Sequence, residues 1–283
     1  MKHLKTFVIF ILFLAFSINI SAYNSADSMR IVQLLREANA LKAKPNSWML
    51  WFGKKFIGTP YVGGTLDKSK NEELIVNTRQ LDCTTYVEIV TALTLCAQHH
   101  ENTFSQFRSR LRHVRYIGGQ VAYTKRQHYF TVWIDDNVKE GIVKDIHPNP
   151  PFTAVQTVQV NWMSTHSFNY QMLINHPSWM AGIKSMEQSV SGKQYRYIPK
   201  GKIANTKLFR QTIHDGDIIA IITNKKGLDT THIGLASWHS DGLHLLNASS
   251  IHHQVVDEPM TLYQYMQRHP VQIGIRVCRV VNE

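Results

Sequence analysis

Apolar residues recur at two different spacings along this chain, and the change from one to the other divides it. Toward the N-terminus the spacing is helical. In "SADSMRIVQLLREANAL", Ile31, Val32, Leu34, Leu35, Ala38 and Leu41 follow a Ser/Asp cap. "PNSWMLWFGKKFIG" starts a second helix with Trp48, Trp51 and Phe52 as core candidates, and Pro60, Gly63 and Gly64 of "TPYVGGTL" break it. A third opens at "LDCTTYVEIV": Asp82, Thr84 and Thr85 are capping or first-turn residues, with Val87, Val90, Leu93 and Ala97 spaced behind them. Residues 98–118 read as helical and basic. "GGQVAYTKRQHYFTVWIDDNV" (118–138) alternates as a strand entering a turn, and 140–210 is a mixed stretch rich in Asn, His and Pro. In the final third the period falls to two. "DGDIIAIIT", "THIGLASW", "GLHLLNAS", "HQVVDEPMTLYQYM" and "VQIGIRVCRVV" read as three strands, a short strand with a helix, and a last strand. Helices followed by an antiparallel meander predict an α+β fold.

The ends and the composition add the compartment. "MKHLK" is a short basic region, "TFVIFILFLAFSINI" is apolar but short for a membrane span, and "SA" offers a small-residue exit after Ala22. Residues 1–22 are therefore expected to be a signal peptide, with no lipoprotein cysteine behind it. The mature chain is expected in the periplasm, without stable membrane insertion. Residues 23–283 suffice for a single domain. The formal charge of +11 loses only Lys2 and Lys5 with the leader. A basic exported protein favours anionic partners such as wall polymers, whereas no basic stripe interleaved with aromatics points to nucleic acid.

Candidate chemistry centres on Cys83. At the first turn of a helix the unpaired N–H groups and the helix dipole favour a thiolate, but a buried core thiol is the competing reading. The other cysteines are Cys96 and Cys278. Thirteen helical residues separate Cys83 from Cys96 by about 20 Å, so those two cannot bond, whereas a Cys96–Cys278 pair would leave Cys83 free. A cysteine nucleophile needs a base and a group to orient it. His232 begins the strand "THIGLAS", and Asn247 lies on the next strand in "HLLNAS". Antiparallel pairing through the "SWHSDG" turn brings the two together, an arrangement that suits a Cys-His-Asn set. The pairs His99-His100 and His252-His253 do not make a metal site, because adjacent side chains diverge and no HExxH or paired CxxC accompanies them.

The order of these pieces resembles the NlpC-type cell-wall cysteine hydrolases, a papain-like superfamily. "TPYVGG" (59–64), "LDC" (81–83), "DGD" (215–217), "HIG" (232–234) and "NAS" (247–249) stand in the order that those proteins show. "DCTTYVE", "QHYFTVWIDDN" (127–137) and the long central segment are most similar to a branch once catalogued as a domain of unknown function and associated with N-acetylmuramoyl-L-alanine amidase activity. The resemblance implies a papain-like fold in which the nucleophile's helix packs on an antiparallel sheet. Its core would be about 47–97 and 213–281, with an insertion at about 98–212. It makes Cys83 the nucleophile, His232 the base and Asn247 the orienting residue, acting on peptidoglycan or muropeptides without a cofactor. Tyr61, Asp82 and Thr84 are candidates for substrate or oxyanion contact, Asp82 also for holding the helix start, and the Cys83 N–H for oxyanion donation. Thr84 and Thr85 replace the usual Ser-Gly pair, and Val62 an aromatic residue, so the walls of the site differ from the wider superfamily. His128, Tyr129 and Trp133 are candidates to line a cleft, and Lys125 and Arg126 to meet a carboxylate or to form solvated surface. An endopeptidase cutting within the stem peptide, and a wall-binding protein without turnover, stay open as alternatives.

Overall fold

The computed structural model describes residues 23–281, so the expected signal peptide lies outside the described residues. Five helices come first: α1 (Ser25–Asn39), α2 (Trp48–Lys54), α3 (Cys83–Gln98), α4 (Phe104–Arg115) and α5 (Phe130–Lys139). Strands β1 (Val143–Ile146) and β2 (Ala154–Thr157) lead into α6 (Trp162–Thr165), α7 (Gln171–Asn175) and α8 (Met180–Val190). Then follow β3 (Gln194–Pro199), α9 (Lys207–Thr212), β4 (Ile218–Thr223), β5 (Thr230–Trp238), β6 (Leu243–Ser249), β7 (Gln254–Asp257), α10 (Leu262–Gln267) and β8 (Gln272–Val280).

The predicted meander is present. The sheet order is β2-β3-β8-β4-β5-β6-β7 with β1 also on β8, and these neighbours all pair antiparallel. β8 returns to lie beside β4, making β4 central. That explains why "IIAIIT" is apolar at nearly every position: Ile218 and Ala220 face one hydrophobic cluster, Ile219 and Ile221 the other. The first cluster is filled by α3, whose residues Thr85 to Ala97 are all buried. α1, α2 and α4 pack around this helix, and α2 also reaches β5. A helix enclosed on all sides gives a weak periodic signal, which is why its sequence showed only a partial stripe.

One expectation is corrected here and one open pairing is decided. The stretch 118–138 is not a strand; its second half is α5. Its partial alternation suggested a strand, yet Phe130, Trp133, Ile134 and Asn137 form a buried helical face. Its opening turn is stabilised from afar, since the Thr131 amide donates to Asp229 Oδ2 at 2.7 Å. Cys96 and Cys278 are not bonded: all three cysteines are free, with Cys96 on α3 beside Glu101 and Cys278 inside the sheet on β8. The central segment contributes to the same sheet. β1 and β3 pair with opposite halves of β8, and a third hydrophobic cluster of Tyr123, Tyr129, Met163, Leu173 and Ile183 ties its helices together.

Candidate active site

Cys83 is the first residue of α3, and the chain around it fixes that place. Asp82 Oδ1 accepts from the Thr85 amide at 2.8 Å, and Thr85 Oγ1 accepts from the Asp82 amide at 2.9 Å, a complete capping box. Asp82 and Thr85 therefore position Cys83, and Asp82 does not line the cleft. Thr84 does line it, and its hydroxyl and amide bond the Cys83 thiol, as does the Ile233 amide from β5.

His232, the neighbour of Ile233, lines the same cleft as Cys83 and Thr84. A register shift where Ile221 opposes His232 and Ile222 opposes Thr230 leaves Thr231 as the extra residue, and such bulges re-aim the following side chain. His232 Nε2 and Asn247 Oδ1 lie 2.8 Å apart. Because Asn accepts through Oδ1, Nε2 carries the proton, and Nδ1 is left as the ring's acceptor atom. The strands meet with Leu235 opposite Leu246, so Gly234 lies across from Asn247 and the His232 bond is diagonal. A Cβ on Gly234 would stand 2.8 Å from Asn247 Cβ and 2.9 Å from Leu245. Glycine in "HIG" thus leaves the space in which Asn247 reaches His232.

Behind Asn247 is a residue the sequence reading missed. Glu258 is 1 % exposed; its Oε1 accepts from Asn247 Nδ2 at 3.3 Å, and its Oε2 meets His252 Nε2 at 3.1 Å. Nothing in "VVDEPM" marks it, because β7 alone carries it to β6. His252, half of a pair considered for metal, serves this carboxylate instead.

Burial governs the protonation states. It pushes the Cys83 thiol up to about 12, with the Asp82 charge adding to it and the hydrogen bonds from Ile233 and Thr84 opposing it. The expected preference of a helix start for thiolate is outweighed. Burial likewise lowers His232, against the bond to Asn247 and the charge of Glu258. Thiol and imidazole are both neutral at rest.

The pair opens into a cleft of about 220 Å³ whose far wall is the central segment: His128, Tyr129, Trp162 and Tyr170 face Cys83, Thr84 and His232. A cleft of about 280 Å³ between Lys44–Met49 and His214–Asp217 contains no cysteine. His128 stays neutral, held down to about 3 by burial and by the Arg126 charge, with its Nε2 2.8 Å from the Tyr123 carbonyl. Tyr129 is a brace rather than a free wall group, donating to Glu187 at 2.7 Å and accepting from the Met163 amide. Trp133 is fully buried against Phe130 and does not reach the cleft, a consequence of α5 being helical. Tyr61 does not line the cleft; its phenol is pushed up to about 12 by burial and then by the charges of Cys83 and Asp82. Arg126 is not solvated surface: it is buried and paired with Asp67 and Glu72. Trp162, Tyr170 and Asp229 were missed; only Asp229, three residues before the candidate base, was visible as an acid near it.

Residues 51–275 match the family model described as N-acetylmuramoyl-L-alanine amidase-like. The chain belongs to this family. A crystal structure of an N-acetylmuramoyl-L-alanine amidase from Bacteroides uniformis is 37% identical, with a TM-score of 0.77 over 82% of this chain and 97% of that one. A Bacteroides fragilis protein that carries the provisional description of a xylanase is also 37% identical, with a TM-score of 0.76 over 82% of this chain and 100% of that one. Protein LPG0564 from Legionella pneumophila, of the family DUF1460, shares the fold at 23% identity, with a TM-score of 0.70 over 90% of this chain and 95% of that one. Among curated proteins, no relative matches the sequence. Membership makes this amidase-like chain a hydrolase with a peptidoglycan-related role.

Proposed function

We propose that this chain is an exported cysteine amidase of the NlpC type. It hydrolyses the amide between N-acetylmuramic acid and L-alanine, in peptidoglycan or its turnover fragments. The observation that carries the reading is the fixed imidazole: His232 bonded to Asn247 through Nε2, with the Ile233 amide on the Cys83 thiol. Family membership supports the class of bond, and the basic charge and the apolar leader support a wall substrate outside the cell.

The neutral pair sets the order of events. Cys83 gives its proton to His232 Nδ1 as the sulfur attacks the amide carbonyl, so the thiolate exists only when a carbonyl is there to take it. The amides at the start of α3 face the oxygen that becomes negative, and the helix dipole adds to them. His232 then protonates the departing L-alanine nitrogen; the C–N bond breaks, and a lactyl thioester stays on Cys83. Water, deprotonated by His232, attacks the thioester and releases the muramic carboxylate and the thiol. Asn247 holds the ring through both proton transfers, and the buried Glu258 charge favours the transient imidazolium.

Mass spectrometry of a disaccharide–peptide muropeptide tests the reading. The expected products are the free muramic disaccharide and an intact stem peptide beginning with L-alanine, with none from Cys83→Ala. Fragments cut within the peptide would support an endopeptidase instead, and no products from the wild type would support a binding protein.

A further inference from the structure

The face of β6 opposite Asn247 carries a second cluster that the proposed hydrolysis does not use. His244 and Asn247 are three residues apart on one strand, so they point to opposite sides of the sheet. In the segment "HSDGLH", His239, Asp241 and His244 offer ligand atoms that all lie within 4.8 Å of one another. We propose that these three residues, with Asp257 beside them, bind a divalent metal ion of the zinc class. The inference does not depend on what the Cys83 cleft hydrolyses.

Several features distinguish the cluster from a chance meeting of surface groups. His244 is 3% exposed, and its Nδ1 donates to the Glu258 carbonyl at 2.7 Å, which fixes the ring and leaves Nε2 as the atom that a metal would take in place of a proton. That Nε2 faces Asp241 Oδ1 at 2.9 Å. Asp257 Oδ2 is 3.1 Å from His239 Nε2 and accepts from Ser237 Oγ at 2.9 Å, while its Oδ1 is buried with no hydrogen-bond partner. A carboxylate that meets His239 through one oxygen and leaves its other oxygen buried and unsatisfied is a costly arrangement that a cation relieves. Two His with one or two carboxylates suit zinc in charge and softness.

Loading requires a small rearrangement that the exposures allow. Zinc bonds of about 2 Å place ligand atoms roughly 3.3 Å apart, closer than the present spread. The rings of His239 and His244 stack at 4.0 Å, so His239 turns out of the stack to direct its lone pair inward. His239 and Asp241 are 41% and 60% exposed on the β5–β6 turn and free to close on the buried His244. Glu258 connects this site to the cleft, since its carbonyl holds His244 and its carboxylate holds Asn247.

Chelator-treated protein titrated with Co²⁺ tests the proposal, with Zn²⁺ competition and thermal melts beside it. Wild type is expected to take up one equivalent with the visible absorption of a four-coordinate site, which Zn²⁺ displaces, and Zn²⁺ is expected to raise its Tm. His239→Ala and Asp241→Asn change exposed residues and leave the fold intact; each is expected to weaken binding at least tenfold and to abolish the Zn²⁺ shift. The chain has fifteen histidines, so saturable uptake that these two variants leave undiminished would overturn the proposal. Absence of saturable uptake by the wild type would overturn it as well.

Discussion

Gly234→Ala isolates the geometry on which the candidate site depends without removing any of its functional groups. The added methyl would stand 2.8 Å from Asn247 Cβ and 2.9 Å from Leu245. Ordinary carbon contacts are about 3.5–4.0 Å, so β5 and β6 must part by something approaching 1 Å. Overpacking of this kind costs about 1–3 kcal/mol of stability, and a misplacement near 1 Å lowers a catalysed rate about 100-fold. Activity should therefore fall much further than stability does. kcat/KM on a muropeptide and the Tm of both proteins measure the two effects. A double variant locates the cause. If Gly234→Ala acts through the His232–Asn247 bond, adding it to Asn247→Ala should cost little more activity than Asn247→Ala alone. A Gly234→Ala enzyme with wild-type kcat/KM, or losses that simply add, would refute the view that glycine is there to give Asn247 its reach.

Three further outcomes follow from the same structure. Burial keeps the proton on Cys83 up to about pH 12, so alkylation of the resting protein by iodoacetamide should rise about tenfold per pH unit between 6 and 9; a plateau already at pH 7 would reveal a preformed thiolate–imidazolium pair. Cys96 and Cys278 are fully buried and should stay unlabelled in the folded protein. Glu258→Gln keeps the shape of the support behind Asn247 but removes its charge, and should lower kcat by roughly tenfold, about 1.4 kcal/mol, with KM unchanged; an effect confined to Tm would make Glu258 purely structural. Glu88 and Arg115 form a fully buried pair at 2.6 Å between α3 and α4, so Glu88→Ala should destabilise by about 3–5 kcal/mol in urea unfolding. A change under 1 kcal/mol there would show that Arg115 finds another partner.

How legible the molecule was depended on whether each feature was local. The meander from 215 onward was readable because each strand alternates or runs apolar between turn residues, and the capping box at Asp82 is written in four consecutive residues. His232 and Asn247 could be paired across a hairpin from spacing alone. Other features involve partners remote in sequence. α5 read as a strand because Asp229, which receives its opening amide, lies 98 residues away. Trp133 was misplaced for the same reason. Glu258 joins the site only through the pairing of β7 with β6, and the protonation of Cys83 is set by how deeply α3 is enclosed, which no helix-start argument contains.

The central claim is that Cys83 carries the muramic acyl group, and the acyl-enzyme itself can be weighed. Muropeptide mixed with the protein and quenched in acid within the first turnover, then digested and mapped by mass spectrometry, should show the sugar's lactyl group as a thioester on the peptide containing Cys83. An adduct made of stem peptide without sugar, or turnover with no adduct on Cys83 under any quench time, would contradict the account.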